Sequence, residues 1–171
     1  MLRVVRLVVT CCLLLSGWSS AHAQVLGEKA KLNSVVLFDG TRFDPKSIEG
    51  KPTLVYFWAS WCPLCRKEMK ELEKHYQSYK ENGFSIVAIN FRDKPENAQA
   101  LIDSVRPISF AVGTINDDWR RDYPKLYGTP TWMLLDRQGI IRKLVVGQEV
   151  ITGGWLDGLA SDLKKIVAEG R

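Results

Sequence analysis

The stretch Thr53-Leu54-Val55-Tyr56-Phe57-Trp58, followed at once by Ala59-Ser60-Trp61-Cys62-Pro63-Leu64-Cys65, constrains this chain more than any other. Six β-branched, aromatic and apolar residues in a row read as a buried strand. Pro63 suits the first position of a helix, because its missing N–H would have no partner there. From Cys65 the residues Met69, Leu72, Tyr76 and Tyr79 follow at spacings of four, three, four and three, which lays one apolar stripe along a helix. Asn82-Gly83 ends that helix. A strand therefore runs straight into a helix, with two cysteines at the junction.

The junction gives the two sulfurs different settings. Cys65 begins the apolar stripe and lies on the buried side of the first turn. Cys62 lies at the helix end, where unpaired backbone N–H groups and the positive end of the helix dipole favour an anion. Such a place lowers a thiol pKa from about 8.5 into a range of roughly 3.5–7.5. An exposed first sulfur beside a shielded second one is the layout of thiol–disulfide exchange. Cys62 reads as the nucleophile and Cys65 as the resolving thiol.

The other two cysteines, Cys11 and Cys12, belong to a different segment. Arg3 and Arg6 make a basic start, and Leu7 to Leu15 is an apolar run too short to span a bilayer. With the small-residue site Ala21-His22-Ala23, they read as a cleaved signal peptide over residues 1–23, leaving 24–171 as one domain. A retained membrane anchor is the alternative. Cys11 and Cys12 also lack the context of a lipoprotein cleavage site. In an exported protein a structural disulfide usually staples a longer loop. Cys62 and Cys65 enclose only two residues, and closing so short a loop adds little stability by chain entropy. A redox role is favoured over stapling.

Composition narrows the field further. Hydrophobic residues at 46 % and charged residues at 25 % describe a globular chain with material for one core. Loss of Arg3 and Arg6 takes the net charge from +5 to +3. With no basic run interleaved with aromatics, that excess argues for no nucleic-acid partner.

Around the junction, the pattern alternates between strands and helices. Val35–Phe38 and Thr41–Phe43 form a hairpin about Asp39-Gly40. Asp44-Pro45 opens a single helical turn, closed by Gly50. Phe84–Asn90 is a second buried strand, Glu96–Val105 a helix stopped by Pro107, and Ser109–Val112 a strand. Asp117–Tyr127 is irregular and helical. Thr131–Asp136 and Ile140–Val146 make a hairpin through Arg137-Gln138-Gly139, and Thr152–Ala168 closes the chain with a helix. The order predicts an α/β sandwich, a mixed sheet with helices on both faces.

At Phe57-Trp58-Ala59-Ser60-Trp61-Cys62-Pro63-Leu64-Cys65-Arg66-Lys67-Glu68-Met69 the chain closely resembles the thioredoxin superfamily, most of all the exported TlpA/ResA-type thiol–disulfide oxidoreductases. Tyr127-Gly128-Thr129-Pro130-Thr131 and the following Leu134-Leu135-Asp136-Arg137-Gln138-Gly139 make a second match. The resemblance runs from about residue 33 to 168. It implies a thioredoxin-like α/β/α sandwich with an N-terminal β-hairpin and an extra strand–helix insertion at 84–112. It implies a cis bond before Pro130, with Thr129 offering its backbone to an extended substrate segment. Client proteins bearing disulfides or thiols are the implied partners, along with a membrane electron donor of the DsbD/CcdA type. No cofactor and no metal is implied, and a monomer is expected.

Single residues refine this. Glu68 matches a glutamate that ResA-type proteins place near their cysteines, where a carboxylate raises a thiol pKa. It reads equally as a solvated acid among Arg66, Lys67 and Lys70. Tyr56 stands where thioredoxin carries a buried acid, which argues against thioredoxin-like proton transfer at that position. Trp58 reads as core, Trp61 and Pro63 as part of the docking surface, and His75 as surface.

Three other functions fit less well. A dithiol oxidase would use the same residues in the opposite direction. A thiolate copper carrier fits the softness of sulfur, but a structural zinc site would need four ligands. A peroxiredoxin lacks its Thr-x-x-Cys loop. The expectation is an exported disulfide reductase serving cytochrome c maturation, copper-site assembly or similar clients.

Overall fold

A computed structural model describes residues 26–123, 128–147 and 155–168. The signal-peptide assignment, Tyr127 and the start of the closing helix at Thr152 lie outside those residues. The hairpin is present as β1 (Val35–Val36) antiparallel to β2 (Arg42–Phe43). Its turn is fastened by Asp39, which accepts the Thr41 N–H and hydroxyl at 2.9 and 2.6 Å. A 3₁₀ turn at Pro45–Ile48 follows, capped by the Asp44 side chain.

All six residues of β3 (Thr53–Trp58) are buried, as an apolar run without alternation requires. The chain continues into α1 (Pro63–Tyr79) and a 3₁₀ turn at Lys80–Asn82. Gly83 stops it at φ 86°, the left-handed region that glycine enters without a Cβ penalty. Then come β4 (Ser85–Asn90), α2 (Pro95–Val105), β5 (Ala111–Thr114) and α3 (Asp117–Asp122). The last elements are β6 (Thr131–Leu135), β7 (Ile141–Val146) and α4 (Trp155–Ala168).

β5 begins two residues later than the sequence pattern predicts. The Glu73 carboxylate of α1 accepts the Ser109 N–H and hydroxyl at 2.8 and 2.7 Å, so Ser109 is bonded to a helix and not to β4. Pro107, read as a helix stop, also follows a cis peptide bond.

The strands form one mixed sheet in the order β5-β4-β3-β6-β7. β3 and β4 are parallel, as are β4 and β5, while β6 runs antiparallel to both β3 and β7. Leu54, Tyr56 and Trp58 point to one face, where they meet residues of α1, α2 and α4. Val55 and Phe57 point to the other, against Trp119 and Tyr123 and the hairpin residues Val35 and Phe43. The expected sandwich is there, but its second face is closed by one six-residue helix and the hairpin together. The hairpin also bonds the sheet edge, with the Phe38 N–H donating to the Val112 carbonyl at 2.9 Å. Gly113 permits this approach: a Cβ there would stand 2.7 Å from Val35 Cγ2 and 2.8 Å from the Val36 carbonyl oxygen. Among the described residues, no helix is long and apolar enough to cross a membrane.

Candidate active site

The redox pair sits where the central strand hands over to α1. Cys62 has an extended backbone (φ −89°, ψ 110°) and is the N-cap, with Pro63 in the first turn. Its sulfur accepts the Cys65 N–H at 3.2 Å, so it takes the position in which serine or aspartate would cap a helix. The same bond would stabilise a Cys62 thiolate, together with the helix dipole. The two sulfurs are joined as a disulfide, with the Cα atoms 5.4 Å apart.

The expected contrast in exposure is small in this oxidised state. Cys62 is 4 % exposed and Cys65 0 %. Cys62 is the more accessible of the two but does not stand open to solvent, and the loop at Thr129 approaches the sulfur of Cys65. β6 is the antiparallel neighbour of β3, with Thr131 opposite Phe57, and this pairing carries the preceding Gly128-Thr129-Pro130 across the end of α1. Thr129 Oγ1 lies 3.0 Å from Cys65 Sγ and donates to the Phe57 carbonyl at 3.3 Å. The Thr129–Pro130 peptide is cis.

Trp61 is 57 % exposed, whereas Trp58 is fully buried. The Trp61 indole is fixed by a 2.9 Å bond from Nε1 to the Arg92 carbonyl. That carbonyl belongs to a loop the sequence reading passed over. Asp93 accepts from the Ser60 N–H, from the Ser60 hydroxyl at 2.7 Å, from Asn90 Nδ2 at 3.0 Å and from the Lys94 N–H at 2.9 Å. Burial pushes the Asp93 carboxyl up, but the bonds from Asn90, Ser60 and Lys94 outweigh it and hold the group below its ordinary value. Arg92 adopts φ 52° within this loop. The clamp joins the end of β4 to the segment before Cys62. Its one sequence signal was Asn90, a polar residue closing an apolar strand.

Glu68 is not a solvated acid. It is 3 % exposed, and its Oε2 accepts the Tyr56 hydroxyl at 2.6 Å across the space between α1 and β3. Burial, then the charge and the hydrogen bond of Glu68, push the Tyr56 hydroxyl far above its ordinary value, so it stays protonated and donating. An acid therefore does enter the core beneath the cysteines, from the helix and not from the strand position where thioredoxin keeps one. His75, expected at the surface, is half-buried. No group of three or more His, Cys, Asp or Glu able to hold a metal occurs among the described residues.

A vicinal pair at a helix N-terminus, on the central strand of a mixed sheet and faced by a cis-proline loop, defines a thioredoxin-like thiol–disulfide oxidoreductase. The chain belongs to the Redoxin family, whose model matches residues 26–158. It is 31 % identical over 133 residues to the thiol:disulfide interchange protein DsbE of Vibrio cholerae, covering 77 % of this chain and 69 % of the relative. It is 28 % identical over 144 residues to the thiol-disulfide oxidoreductase ResA of Halalkalibacterium halodurans, covering 82 % and 76 %. The fold is matched by a crystal structure of a thioredoxin-family thiol:disulfide interchange protein from Chlorobium tepidum, with a TM-score of 0.72 and 23 % identity over 85 % of this chain and 99 % of that one. The activity is thiol–disulfide exchange of the DsbE/ResA type.

Proposed function

We propose that the chain is an exported disulfide reductase for client-protein cysteines, with residues 1–23 as its leader and 24–171 as a single domain. The observation that carries this reading is the Cys62–Cys65 pair at the N-terminus of α1, faced by Thr129–Pro130. The Cys62 thiolate attacks one sulfur of a client disulfide. A mixed disulfide forms, and the first client sulfur leaves as a thiolate that takes up a proton. Cys65 then gives up its proton and attacks the Cys62 sulfur, releasing the second client thiol and closing Cys62–Cys65. Two electrons pass to the client, and a membrane donor of the DsbD/CcdA type returns them to the pair.

Trp61, Pro63, Thr129 and Pro130 form the docking surface in this reading. An extended client segment pairs edge-on with the Thr129 backbone, the strand-addition mode of recognition. Glu68 tunes the proton balance of the pair from the core. The family resemblance favours clients of cytochrome c maturation or copper-site assembly.

Direction rests on the reduction potential, since 30 mV is about 1.4 kcal/mol for a two-electron couple. A glutathione redox titration of Cys62–Cys65 is expected to fall toward the reducing end, near the ~−270 mV of thioredoxin. A value near ~−120 mV would make the protein a dithiol oxidase instead. In the same preparation Cys65→Ser is expected to accumulate client mixed disulfides on Cys62. Trapping by Cys62→Ser in its place would reverse the two roles.

A further inference from the structure

We propose that Tyr56 is a positioning residue of the redox site: its buried hydroxyl holds the Glu68 carboxylate ionised and fixed one helical turn from Cys65. The inference rests on the thiol–disulfide reading above and adds the group that controls its proton traffic.

The geometry is specific. Tyr56 is 0 % and Glu68 3 % exposed, and 2.6 Å separates their oxygens, the length of a charge-assisted O–H···O⁻ bond. Cys65 and Glu68 stand three residues apart on α1, a spacing that sets side chains on one helix face with Cβ atoms about 5–6 Å apart. A carboxylate taken out of water tends to pick up a proton unless donors hold it ionised. Tyr56 supplies such a donor and, with its hydroxyl pushed far up, does not itself give the proton away. A bond made to the charged form favours that form.

Among the described residues, the titratable groups on this side of β3 and α1 include Tyr56, Glu68, the two cysteines and, two turns further along α1, His75. Glu73, also buried on α1, is turned to Ser109. From β6, Trp132 lies opposite Tyr56, and from β4, Ala88. Beyond Trp132, Lys143 of β7 stands 5.6 Å from its ring and is paired with Asp162 of α4 at 2.7 Å.

The proton has a stated route. When Cys65 attacks the mixed disulfide, its thiol proton passes to Glu68, and once the Cys62–Cys65 bond has closed it is given up to solvent as the released client thiolate takes up one proton. The two electrons of the new bond come from Cys65, and the client thiolate carries the displaced pair. Tyr56 takes no part in bond-making. It sets the pH at which Glu68 is ready to accept.

The test is a glutathione equilibrium of the full chain across pH, for the unmutated protein, Tyr56→Phe, Glu68→Gln and the double variant. Tyr56→Phe is expected to move the inflection that Glu68 gives the profile upward by at least one pH unit, a tenfold change in proton affinity. Glu68→Gln is expected to remove the inflection, and adding Tyr56→Phe to it should change nothing further. Should Tyr56→Phe fail to fold, 3-fluorotyrosine placed at residue 56 keeps the shape with a more acidic hydroxyl, and the inflection should move to lower pH. A Tyr56→Phe profile that coincides with the unmutated one would overturn the proposal, as would an equal shift in the Glu68→Gln background. The titration needs no client. A chain that shows this coupling but reduces no protein disulfide would sink the reductase reading and leave the role of Tyr56 standing.

Discussion

At the scale of single residues, the decisive contact is the 3.0 Å approach of Thr129 Oγ1 to Cys65 Sγ. With the disulfide closed, its one proton goes to the Phe57 carbonyl; when Cys65 ionises, that proton can turn to the thiolate, so the hydroxyl is expected to favour the reduced state wherever Cys65 is ionised. Thr129→Val keeps the shape and removes the donor. Hydrogen bonds to charged groups contribute about 1.5–3 kcal/mol. At a pH where Cys65 is ionised, the variant should therefore favour the disulfide by about tenfold or more in the glutathione equilibrium, ~30 mV toward reducing potentials. An unchanged potential would mean that Thr129 serves only through its backbone. That Cys65 sits on the buried side of α1 was legible from spacing alone, because the helical stripe starts at it. The contacts of Thr129 and Tyr56 were not. They join residues 64 and 12 positions apart, and no local pattern reports a hydrogen bond made across elements.

At the scale of elements, α1 and the sheet were written plainly. The β3 run is uniformly apolar, and the α1 stripe has one period throughout. Shorter pieces were less legible, because tertiary partners compete for their backbone. Ser109 is drawn to Glu73 of α1, which delays β5, and the loop at Arg92–Lys94 is shaped by Asp93 bonding to Ser60. The hairpin makes its own prediction. Gly113 lets β1 lie on the sheet edge, and a side chain there would meet Val35 and the Val36 carbonyl. Gly113→Val should cost about 1–3 kcal/mol, as overpacking does, and lower the melting temperature. The redox potential should hold, since a side chain at Gly113 would press on Val35, the Val36 carbonyl and Leu37 of the hairpin and not on the sulfurs. A shifted potential with an unchanged melting temperature would contradict this division of labour.

At the scale of the whole molecule, redox state and folding stability are linked. The native state can favour the disulfide over the dithiol only as far as the oxidised protein is the more stable of the two, relative to the same pair in the unfolded chain. An oxidant of the DsbA kind is strong because its reduced form is stabilised. For a reductase, the oxidised protein is therefore expected to melt above the reduced one when both are scanned at neutral pH. The reverse order would assign the opposite direction of electron flow, independently of the glutathione titration. By itself the sequence determined the strand-to-helix junction, the closely spaced cysteines and the place of each at the start of α1, because each is a matter of neighbours along one chain. Only the tertiary structure decided what surrounds the sulfurs. Pairing β6 beside β3 brings Thr129 against the sulfur of Cys65, and packing α1 on β3 buries Glu68 against Tyr56. Those contacts depend on how distant segments are brought together, and distance along the chain hides them.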